Sequence, residues 1–133
     1  MVVAADPNWV RSPRNLFYRL FAVKPLEMGL THQGGVFVIW HGGVTPGWVC
    51  ADKADSLAAA ILDAQDNGDI AKYESRGGLY VTWAPIRAEY RDGVVRYLRE
   101  NMDPYVTSSK EDDDVNMKAE PIPVLLPGSK AAP

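Results

Sequence analysis

The chain has 133 residues, 47% hydrophobic and 23% charged, with a formal net charge of -3. That is the length and balance of one globular domain with a modest core. A single cysteine excludes an internal disulfide framework, and one Cys with two His gives a poor donor set for a four-ligand zinc site.

No apolar run approaches the ~18 residues needed for a membrane span. The opening Met1–Asp6 has no basic region ahead of its short apolar stretch, and Asp6 and Pro7 interrupt it. A secretory signal is therefore not expected. With Cys50 unpaired, a reducing, cytoplasmic setting is the expectation. The acidic balance lacks the basic footprint usual for a domain that lives on nucleic acid.

Residues 1–13, with Pro7, Asn8 and Pro13, read as a loose N-terminal arm. From 14 to 22, Leu16, Phe17, Leu20 and Phe21 fall on one helical face, which predicts a short packed helix. Its arginines leave a second use open, as a basic amphipathic segment for a partner or membrane surface. Gly34-Gly35 opens a strand, Val36–His41, apolar on both faces and hence central in a sheet. The Gly- and Pro-rich stretch 42–47 predicts a turn, and Trp48–Ala51 the returning strand of a hairpin.

A helix is expected over Asp55–Asn67, capped by Asp55 or Ser56 and stopped at Asn67-Gly68. Asp69–Glu74 is ambiguous and long enough for one helical turn. Leu79–Ala84 forms the third strand, and Arg91–Asn101 a second long helix with Val94, Val95 and Leu98 inward. The fold class is thus α/β of the α+β type: a three-stranded sheet with flanking helices over 14–106. The polar, acidic stretch after Tyr105 predicts a disordered tail over 107–133. Within it Pro121–Gly128 is an apolar run between prolines. It reads either as a segment docked weakly on its own domain or as a linear motif for another protein.

Gly35-Val36-Phe37 followed after 38–47 by Trp48-Val49-Cys50 resembles the paired tripeptides of the GIY-YIG nuclease superfamily. The order hairpin, helix, strand, helix resembles it too, as does a closing helix that ends at Pro104. The resemblance covers 35–105, about half of the chain. In active members, the resemblance implies, a tyrosine from each tripeptide, an arginine on the next helix and a metal-holding glutamate on the last helix form the site. Here the tyrosine positions hold Phe37 and Trp48, and Cys50 stands for the last glycine. Ala60 lies where the arginine is expected, and Val95 falls about nine residues before Pro104, where the glutamate would be. Glu100 is on the same helix but on another face. Loss of phenol, guanidinium and metal ligand together implies a nuclease-like scaffold without the chemistry, and no cofactor or metal.

Other residues invite weighing. Cys50 as a nucleophile needs a nearby base. A simple hairpin pairs it near Val38 or Ile39 rather than His41, which favours a buried small apolar side chain. Asp112–Asp114 could hold calcium but reads as a solvated acidic run. Trp40, Trp48 and Trp83 sit on predicted strands. With His41, Arg76 and Arg87 they form a candidate binding surface, either core packing or a partly exposed aromatic pocket. The leading expectation is a non-catalytic interaction module for a protein partner, regulated by a tail that covers the same surface. Nucleic-acid binding without cleavage is the alternative, drawing on Arg76, Arg87, Arg91, Arg96 and Arg99. A divergent metal-dependent nuclease comes last.

Overall fold

The structure is a computed structural model that describes residues 5–106 and 119–128. In chain order it comprises β1 (Tyr18–Arg19), a 3-10 turn (Leu20–Ala22), β2 (Gly35–His41), β3 (Gly47–Ala54), α1 (Leu57–Asp66), α2 (Gly68–Ala71), a second 3-10 turn (Lys72–Ser75), β4 (Leu79–Pro85) and α3 (Ala88–Met102). The strands form one sheet in the order β1-β4-β2-β3. All neighbours are antiparallel. Sheet and helices make the α+β mix read from the sequence, with four strands in place of three.

Strand β2 is central because both of its faces are apolar. Phe37 and Ile39 join Leu57 and Ile61 of α1 in one core, while Val36 and Val38 join Val94, Val95 and Leu98 of α3 in another. The strand period of two sorts these side chains to opposite faces, so the sheet is the middle layer. The Ser56 hydroxyl accepts from the Ala59 amide at 3.2 Å and caps α1. Asn67 ends α1 and caps α2, its side chain accepting from the Asp69 amide at 2.9 Å. Helix α3 stops at Asp103, whose φ of 50° is left-handed, immediately before Pro104. Among the described residues no helix is long and apolar enough to cross a membrane.

The expected helix over 14–22 is absent. Asn15, at φ 62°, closes a turn in which its amide donates to the Ser12 carbonyl at 2.8 Å. Tyr18 and Arg19 then pair with Val81 and Tyr80 along the edge of β4. Leu20 is buried, but Leu16 and Phe21 are 63% and 47% exposed. Open donors and acceptors on an edge strand outweigh the weak propensity of a nine-residue helical pattern. This pairing supplies the fourth strand.

Residues 5–13 are not a loose arm. The Val10 amide donates to the Trp83 carbonyl at 2.9 Å, and the buried Thr82 hydroxyl donates to the Val10 carbonyl at 2.7 Å. Ala5 forms a parallel bridge with Val124. The expected disordered tail divides likewise: 107–118 and 129–133 lie outside the described residues, as do 1–4, whereas 119–128 is docked.

Replacing Thr82 with Val keeps the shape of a fully buried side chain and removes the hydroxyl that holds the arm. Loss of this hydrogen bond to a partly buried carbonyl should cost about 1 kcal/mol. The expected result is a lower urea midpoint with unchanged slope. An unchanged midpoint would show that this hydrogen bond adds nothing to the fold.

Candidate functional site

The sequence-predicted surface is divided by the sheet that carries it. Trp40 and His41 are adjacent on β2, so their side chains leave on opposite faces. A register shift between Ile39 and Trp40 pairs Ile39 with Cys50 but Trp40 with Trp48, leaving Val49 as the extra residue. The bulge thereby turns Trp48 to the face of Trp40.

On that face Trp40 is the hub of an aromatic cluster. Its ring lies 4.9 Å from Phe17, edge on, 5.9 Å from Trp48, and 5.9 Å from Tyr80, nearly parallel. Arg11 sits 4.4 Å over Phe17, and Arg19 5.1 Å over Tyr80. Phe17, Trp40, Pro46 and Trp48 line a cavity of about 250 Å³ whose far wall is Pro127-Gly128.

On the other face His41 is buried among Tyr73 and Tyr105, with ring centroids 6.0 and 5.9 Å away. Arg76 lies over Tyr73 at 5.1 Å and shares a cavity with His41. The remaining two residues join neither group. Trp83 is 3% exposed and stacks on Tyr18 within the core. Arg87 lies at the opposite end of the sheet, where Pro85 pairs with Gly35, and faces Glu89 at 3.9 Å.

The five positions singled out by family resemblance also divide. Phe37, Cys50 and Ala60 line one cleft of about 210 Å³ with Asp52, Lys53 and Asp63. Trp48 and Val95 pack on the other face of the sheet. Glu100 is exposed and pairs with Arg96 at 2.8 Å. Cys50 sits opposite Ile39 rather than His41. Burial, and secondarily the Asp52 carboxylate, push its thiol up to about 12 against the weaker pull of Arg99. It is a protonated core side chain, not a poised nucleophile.

Most of the arginines are committed inside the fold. Arg91 donates to Asp55 at 3.0 Å and to the Ile86 carbonyl at 2.7 Å. Arg99 meets Asp52 at 3.4 Å and donates to the Ala51 carbonyl at 3.1 Å.

The feature that reading the sequence left open is a groove between α3 and the N-terminal arm, filled by 119–128. The Trp9 indole N–H donates to the Leu125 carbonyl at 2.7 Å. The Ile122 amide donates to the Gly93 carbonyl at 3.0 Å, and Arg96 Nη1 to the Ala119 carbonyl at 2.7 Å. The Leu125 amide donates to the Ala5 carbonyl at 2.8 Å. Val124 is 5% exposed and packs with Val36, Val38 and Val94. Gly93 explains how the chain comes so close. A Cβ there would stand 2.5 Å from the Glu120 carbonyl oxygen and 2.7 Å from the Ile122 side chain. A glycine inside a helix costs about 1 kcal/mol relative to alanine, and here it is the floor of the groove. That lone mid-helix glycine was the available sequence signal.

No family model matches the chain, and neither a curated protein nor a solved structure matches it.

The raised Cys50 pKa fixes a sign. The unfolded thiol ionises near 9.0 and the folded one near 12. The native state therefore holds the proton through that window, and the stability Cys50 contributes is complete below it and falls as pH rises. Two results are expected: no reaction of native protein with a thiol reagent at pH 8 until denaturant is added, and a loss of stability above pH 9 that is shallower in Cys50→Ala. Rapid native labelling would overturn the buried assignment.

Proposed function

We propose that this chain is a non-catalytic protein-interaction module, and that the groove of Trp9, α3 and the Trp40–Trp48 cluster receives an extended, proline-bounded apolar peptide. The docked 119–128 segment carries the reading. Main-chain hydrogen bonds to Gly93, Ala5 and Trp9 hold an extended chain whatever its sequence, while the pocket that buries Val124 selects a side chain. The cavity beside Pro127, walled by Trp40 and Trp48, has the aromatic lining that suits proline. In the free protein the chain's own tail occupies the groove, so a partner peptide must displace it.

The hairpin–helix–strand–helix order supports reading the scaffold as GIY-YIG-like. The absence of nuclease chemistry is part of the proposal and rests on the residues in place: the Phe37 ring is in the core, Ala60 brings no charge, and Val95 is buried in the opposite layer. A buried thiol at Cys50 suits the reducing cytoplasm. The nucleic-acid alternative gains nothing from Arg91, Arg96 and Arg99, whose charges already face Asp55, Glu100 and Asp52.

Tethering gives the tail an effective concentration of order mM, which suppresses binding of a competitor in trans. Val124→Asp places a charge in the pocket and should empty the groove. A labelled peptide of the sequence Pro121–Gly128 should then bind the full-length Val124→Asp chain at least about tenfold tighter than wild type by fluorescence polarisation. The reading fails if the substituted chain keeps its fold by circular dichroism, loses amide protection over 119–128, and still does not bind the peptide.

A further inference from the structure

No residue of 119–128 lines the second cavity. His41 is 3% exposed, and neither Nδ1 nor Nε2 has a hydrogen-bond partner among the described residues. A neutral imidazole carries one donor and one acceptor. Burying both unpaired costs on the order of a lost hydrogen bond each. A phenylalanine would stack on Tyr73 and Tyr105 equally well without that cost. Packing alone therefore gives no reason for an imidazole at this position.

The surroundings say what would complete it. His41 lies at the floor of a cavity of about 740 Å³, lined also by the glycine turn 42–43, Thr45, Ser75, Arg76 and Tyr105. That volume suits a small molecule. Among the described residues no carboxylate lines it. The nearby Glu74 is engaged, accepting from Arg19 at 3.1 Å and from the Leu79 amide at 2.7 Å. Arg76 has no ion-pair partner among the described residues and rests on the Tyr73 face. Glycines keep both ring nitrogens clear. A Cβ on Gly47 would stand 2.6 Å from Nε2 and 2.3 Å from the Tyr105 hydroxyl, and one on Gly43 would stand 3.7 Å from Nδ1.

We propose that this cavity binds a small organic phosphate monoester, its phosphoryl oxygens accepting from His41 and the Arg76 guanidinium. Phosphoryl oxygens can accept from the one imidazole N–H, the Arg76 guanidinium and the Thr45 and Tyr105 hydroxyls, while the P–OH of the monoanion can donate to the other ring nitrogen. The Ser75 hydroxyl already donates to the Lys72 carbonyl at 3.2 Å. The half-exposed Tyr105 ring forms the outer wall, and its displacement opens the way to the shielded imidazole nitrogens.

The test is a titration of full-length ¹⁵N-labelled protein, following the imidazole resonances of His41 with exposed His32 as internal control. Probes are glycerol 3-phosphate, adenosine 5′-monophosphate and inorganic phosphate, with acetate at matched ionic strength. A saturable shift of His41 alone is expected with the two monoesters. It should weaken about tenfold or more in Arg76→Ala, a surface change, and in His41→Phe the saturable shifts of the Gly42, Gly43 and Thr45 backbone amides that accompany it should be lost. No His41 shift with any phosphate, an equal response to acetate, or binding unchanged in both variants would overturn the site. Monoesters that bind no tighter than inorganic phosphate would overturn the assignment of an organic ligand. Should His41→Phe fail to fold, Arg76→Ala decides the matter.

Discussion

A strand buried on both faces demands a layer on each, and β2 makes that demand throughout this fold. On one face α1, the second 3-10 turn and Leu20 cover Phe37 and Ile39. On the other, α3 is the sole helix among the described residues, and Val36, Val38 and Ala51 need more apolar cover than one helix spans. Trp9 from the arm, and Ile122, Val124 and Leu126 from the tail, supply it. Both chain ends are thus drawn onto the same face by one unmet hydrophobic requirement. Neither recruitment could follow from local propensity, since each segment is polar or proline-broken by itself.

The same strand decides the division of the candidate surface. Its alternation sends Trp40 towards α3 and the tail and His41 towards α1, so a single pocket holding both is geometrically excluded. The bulge at Val49 then reassigns Trp48, which an unbroken register would have set on the His41 face. Parts of the sheet edges are covered by the same economy of chain. Val10 and β1 run along β4, and the Tyr105 and Val106 amides donate to the Trp48 and Val49 carbonyls of β3. Edges covered in this way present little template for strand pairing between copies.

What was legible in the sequence was what short-range physics controls. The doubly apolar run at 36–41, the Ser56 cap, the Asn67 stop and the glycine turn at 42–47 each announce a local preference that the fold honours. The residue opposite Cys50 followed from hairpin geometry. The segment 14–22 failed because its helical spacing competed with an edge that only the folded sheet presents. Trp83 and Arg87 stand apart from the other candidate residues for a related reason: residue type groups them, whereas face and height along the strand decide which of them meet. The groove was half legible. Gly93 and the proline-bounded run were each visible, but their contact joins residues 29 apart across a stretch no periodicity could bridge.

Whether the tail is a strap or an exchangeable occupant is a question of margins. Ordering a residue's backbone costs about 1–2 kcal/mol, somewhat less where proline has already restricted the unfolded chain. Each hydrogen bond returns about 0.5–1.5 kcal/mol net, and full burial of a valine about 1.5–3 kcal/mol. Val124 is the one residue here that is nearly sealed from water by its side chain and tied at both neighbours by main-chain bonds, through Pro123 and Leu125 to Ala5. Ile122 and Leu126 are only half-buried. Gains and losses are therefore of one size over the segment, which places it at the low-stability end of the molecule. Strand β2 has no such balance, since it is covered on both faces and paired along both edges, with β3 and β4. The proposed interaction module requires that a segment held by so small a margin exchange for another chain while β2 stays covered by α1 and α3, and this separation of a stable scaffold from a marginal occupant is the physical basis of that proposal.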